Sequence, residues 1–121
     1  MALLKVMFDD WQMECCGTPF SVGDEVAWSL SGEAPLYSVE LHGDEEADTV
    51  GRVRSIEVVT RGFTLPAGTR TFEPVAGEQW LRAVDRCPKW FSDSVEGSRE
   101  RGYFRREVGV LVCLEVPGGA A

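Results

Sequence analysis

The chain has 121 residues, 44% of them hydrophobic, enough for one compact domain with a single core and too few for a second. Its net charge of -8 is concentrated at the front: residues 1–50 carry eleven acids against one lysine, residues 51–121 nine acids against eleven Lys and Arg. That balance weighs against generic nucleic-acid binding, because an acidic protein repels phosphate backbones at long range. The opening "MALLKVMFDDW" is broken by Lys5 and Asp9-Asp10, so it reads as neither signal peptide nor membrane span.

In chain order, Leu3–Phe8 is the first predicted strand, ended by Asp9-Asp10. "ECCGTPF" follows as a turn. Phe20–Leu30 is predicted as a strand that buries Phe20, Val22, Val26, Trp28 and Leu30 on one face, with Gly23-Asp24 as a bend. Leu36–Leu41 is a short strand and "HGDEEADT" an acidic loop. Val50–Val59 resumes extended structure, and "TLPAGT" is a loop. "RTFEPV" and "QWLRAVDRC" are two further strands, the second ended by Pro88. Residues 92–102 are polar, with room for one helical turn. Val108–Val116 is a last strand with Val108, Val110, Val112, Leu114 and Val116 on one face, and residues 117–121 form a flexible tail. Six or seven short strands without helical periodicity predict an all-β domain over residues 1–116, a small SH3-like or related barrel whose closure removes exposed edges.

"WQMECCG" followed by "PF", together with "GDEVAW" and "RCPKWF", resembles an actinobacterial family of small proteins catalogued as a domain of unknown function. The resemblance implies a bacterial cytoplasmic protein. It carries no activity, and so no catalytic or ligand residue.

Four cysteines without an export signal read as reduced thiols. Cys15, Cys16, Cys87 and the sole histidine, His42, have the ligand chemistry of a zinc centre. Adjacent cysteines on extended backbone point to opposite faces, however, so only a tight turn at Gly17-Thr18-Pro19 would converge them. The competing reading is that Cys15 and Cys16 are small apolar residues filling a bend, with Cys113 packing in the last strand. A vicinal disulfide between Cys15 and Cys16, or a redox-active thiol, is the remaining reading, and the redox role lacks both C-x-x-C spacing and a helix. One imidazole beside "GDEE" has no nucleophile elbow to serve, the acidic runs Asp9-Asp10 and Asp44-Glu45-Glu46 lack the calcium-loop pattern, and no phosphate-cradling glycine motif is present.

Trp28 and Trp80 are predicted core, whereas Trp11 and Trp90 occupy turn-like settings suited to a surface. With Phe91, Tyr103 and the arginines Arg99, Arg101, Arg105 and Arg106 they form a candidate binding surface for another protein, or for single-stranded nucleic acid if a local basic patch overrides the net charge. The absent catalytic constellation and the divided charge favour a non-enzymatic protein-binding or adaptor module. Zinc binding and a nucleic-acid-binding barrel are the alternatives.

Overall fold

The structure, a computed structural model, describes residues 1–41, 47–95 and 102–117. His42, the acids 44–46, Arg99, Arg101 and the tail beyond Pro117 lie outside the described residues. The chain forms β1 (Ala2–Asp9), α1 (Asp10–Cys16), β2 (Glu25–Trp28), β3 (Leu30–Glu33), β4 (Leu36–Val39), β5 (Thr49–Thr64), β6 (Glu73–Val84) and β7 (Tyr103–Val116). Among the described residues no helix is long and apolar enough to cross a membrane.

The seven strands make one sheet curled into a half-barrel, so the domain is all-β and barrel-like. The order is β2-β5-β7-β1-β4-β3, with β6 on β5. The two edge strands β2 and β3 are consecutive in the chain and separated by Ser29 alone, so one bend carries the backbone from one end of the sheet to the other. β1 and β4 are parallel and the other ladders antiparallel. β5 shares one edge between β2, which pairs Thr49 to Arg52, and β6, which pairs Ile56 to Thr64.

The inner face holds the core: Val6, Phe8, Val39, Val53, Ile56, Val58, Val110, Val112 and Leu114, with Met13 from α1. Phe8, Phe20 and Trp28 meet edge-on or tilted, their ring centres 5.0–6.0 Å apart. Each such large side chain contributes about 1.5–3 kcal/mol by leaving water.

Two bulges govern which side chains reach this core. Arg54 is the extra residue between Val53 and Ser55, so Val53 shares the inner face with Ile56 and Val58 despite their different parity. Val108 is extra between Gly109 and Glu107, which moves it off the inner face predicted from its alternation with Val110 and Val112. Gly109 permits the bulge: its φ is +145° and a Cβ there would collide with Phe8 O.

Other departures from the sequence reading are local. Phe20–Leu30 is broken by a turn over residues 22 and 23, so Val22 faces solvent, while Phe20 and Trp28 are buried and Val26 and Leu30 pack against the core as predicted. "RTFEPV" and "QWLRAVDRC" join in β6, because residues 75–78 loop out of the ladder between Pro74 and Gln79 instead of ending it. Trp80 is not core: β6 extends beyond the barrel and leaves it 40% exposed.

Candidate functional site

The segment predicted as a turn is the short helix α1. Asp10 stands in its first turn, where a carboxylate suits the positive end of the helix, and Arg106 Nη1 holds it at 2.8 Å. Thr18-Pro19 cannot continue the helix. Gly17 closes it by donating its N–H to Gln12 O and Met13 O, and a Cβ there would stand 2.8 Å from Met13 Cα and Sδ.

Gln12, Met13 and Glu14, with Asp10, tie this helix to the rest of the domain. Gln12 is buried; its Nε2 donates to Val39 O at 2.6 Å and its Oε1 accepts from Leu41 N at 2.7 Å, continuing the hydrogen bonding past the end of β4. Glu14 Oε2 accepts from Phe91 N, and Lys89 Nζ donates to Met13 O at 2.6 Å and Gly17 O at 3.0 Å. The two most distinctive motifs, "WQMECCG" and "RCPKWF", therefore meet, the second capping the first with a cation at the negative end of the helix.

Trp11, Cys15 and Cys16 remain on the surface. The two cysteines do not fill a bend; both are exposed at the helix end with sulfurs 2.6 Å apart, because helical rather than extended backbone brings their side chains to neighbouring directions. Cys16 borders a half-open cavity of about 460 Å³ walled by Phe8, Pro19, Phe20 and Trp28, with Asp24 and Glu25 at its rim. Cys87 is buried, donates to Pro88 O, and burial pushes its thiol up to about 12. Among the described residues no three His, Cys, Asp or Glu lie together to hold a metal, and His42, the fourth candidate ligand, lies outside them. Cys113 is half-buried in β7, as its packing role predicts, though on the outer face.

The predicted aromatic surface divides. Trp11 and Trp90 are 54% and 69% exposed on either side of the α1 junction, and Phe91 turns inward against the core. Tyr103 and Arg105 belong instead to the β6–β7 extension: Arg105 lies 4.2 Å from the Trp80 ring and donates to Tyr103 Oη, which donates to Glu78. Arg106 is on the opposite face, paired with Asp10 and stacked 5.3 Å from the Phe63 ring centre.

That opposite, outer face carries a feature outside the sequence reading. A groove of about 530 Å³ runs across β1, β7, β5 and β6, floored by Met7, Val59, Leu81, Val108 and Leu111 and bounded by Leu36 and Phe63. Val59 is buried yet stands apart from the core cluster, in the lining of this groove. Arg61, Arg106 and Lys5 line the groove with Asp9, and the Nε of Arg61 is buried without a hydrogen-bond partner. Burial, and then the charge of Asp10, raises the Asp9 carboxyl above its ordinary range. A second apolar face was legible only in the odd-numbered Met7, Val59, Leu81 and Leu111, which the even-numbered core pattern hides.

A family model described as a family of unknown function, DUF6578, matches residues 2–116. The chain belongs to that family. No curated protein and no solved structure matches it. The DUF6578 match spans every strand of the sheet and α1, hence both the helix junction and the groove.

Proposed function

We propose that this DUF6578 chain is a non-enzymatic binding module that takes an extended, carboxylate-bearing segment of a partner protein along β6 and into the outer-face groove. The observation that carries the reading is Arg61: a guanidinium with a buried, unpartnered Nε beside an apolar groove is a donor awaiting an acceptor. Three cations against one carboxylate line the groove, which favours an acidic segment. Among the described residues β6 pairs with β5 alone, which leaves its other edge open, and Leu81 is 45% exposed, so an incoming strand finds backbone partners there and side-chain contacts in the groove. The cytoplasm of an actinobacterium, implied by the family resemblance, is the setting in which such a partner is sought.

The test uses the full chain as bait in an extract of its source organism. Leu81→Asp and Arg61→Gln lower recovery of a reproducible partner about tenfold or more, as loss of a central contact does, whereas Cys15→Ser leaves it unchanged. Recovery unaffected by both groove variants, or no partner alongside turnover of a small molecule, contradicts the proposal.

A further inference from the structure

Cys15 and Cys16 are adjacent, exposed and in sulfur–sulfur contact, while the other two cysteines are buried or half-buried. Beside Cys16 lies the 460 Å³ cavity, room for a small molecule, and its charged lining among the described residues is Asp24 and Glu25. Lys89, a cation whose charge is felt at Cys16, is engaged by Met13 O and Gly17 O at the negative end of α1. We propose that Cys15 and Cys16 form a thiol–disulfide exchange site that reduces low-molecular-weight disulfides of neutral or positive charge.

The Cys15 thiolate attacks one sulfur of the disulfide; the sulfur–sulfur bond breaks and the leaving thiolate takes up the proton that Cys15 released. Cys16 then attacks Cys15 Sγ, and its proton goes to the second leaving thiolate. Two S–H groups become one S–S bond, and one small disulfide becomes two thiols. The order follows from the pair itself: the hydrogen bond with Cys15, and then desolvation, raise the Cys16 thiol above its ordinary range, so Cys16 keeps its proton for the second step. The product bond is strained. Adjacent α-carbons stand about 3.8 Å apart across a trans peptide, below the roughly 4.4 Å at which disulfides begin to be comfortable. A strained disulfide is readily reduced, so an excess of the small disulfide drives the exchange forward, added thiol reverses it, and the bond is no permanent cross-link.

The experiment incubates the full chain with cystamine or, separately, with the dicarboxylate dithiodipropionate, and follows intact mass and peptide maps. Cystamine converts the wild type to a form lacking two hydrogens in the peptide that holds Cys15 and Cys16, with no adduct retained. Cys16→Ser instead accumulates one aminothiol adduct on Cys15. Dithiodipropionate reacts about tenfold more slowly at low ionic strength, and salt narrows the gap. Both cysteines are exposed, and a wild-type far-UV spectrum confirms that the serine variant folds. A wild type that keeps its thiols, or retains the adduct as Cys16→Ser does, overturns the exchange site; equal rates for the two reagents overturn the charge preference.

Discussion

Replacing Gln12 by leucine removes both polar atoms of a buried side chain while nearly keeping its volume. The Val39 carbonyl loses its donor at 2.6 Å and the Leu41 amide its acceptor at 2.7 Å, and Val39 is almost wholly buried. Each backbone group left unsatisfied costs about 1–3 kcal/mol. Leu41 is only partly buried, so water offsets part of its loss, and the apolar leucine returns about 1 kcal/mol. The net loss is about 1–4 kcal/mol, a large share of the roughly 5–15 kcal/mol that holds a domain folded. Urea unfolding followed by tryptophan fluorescence measures it as a lower midpoint at unchanged slope. Gln12→Glu supplies the control: ionised it accepts from Leu41 N but cannot donate to Val39 O, whereas protonated it does both, so its deficit shrinks as pH falls. A leucine variant within about 0.5 kcal/mol of wild type would refute the reasoning, that being the scatter of surface substitutions.

Three further outcomes follow from the same geometry. Lys89→Met strips the cation from the last carbonyls of α1, and thermal unfolding falls by several degrees, roughly 4 °C per kcal/mol lost in a domain between the smaller and larger size classes. Asp9→Asn is more stable than wild type at neutral pH. A carboxyl raised in the folded state binds protons more tightly there than in the unfolded chain, so wild-type stability declines as pH climbs from the unfolded value of 3.8 through the folded one; the variant's advantage vanishes in acid, where both forms are neutral. Elemental analysis of protein purified without a histidine tag shows no stoichiometric zinc, whereas one zinc per chain would place Cys15, Cys16, Cys87 and His42 around an ion.

The all-β class was legible because strands such as β1 and the end of β7 alternate cleanly over one buried face. Alternation failed where bulges intervene: nothing in the alternation of "VGVLVCLEV" marks Val108 as displaced, and the contact of Gly109 with Phe8 O reveals it. Helix α1 was hidden by brevity, since seven residues span too few turns to show a period, and it is held by Lys89 and Arg106 from far along the chain. The exposed cysteines and Trp80 were misassigned for one reason: composition ranks them as buried types, while their exposure is set by tertiary position. The groove was beyond reach because its residues come from five strands and share no motif.

The most direct measurement is covalent side-chain footprinting of the partner complex against the free chain. Labelling of Leu36, Leu81 and Leu111 falls in the complex while Trp11 and Trp90 stay as reactive as before. Protection at Trp11 and Trp90 with the groove leucines unchanged would move the binding surface to the α1 junction and contradict the account.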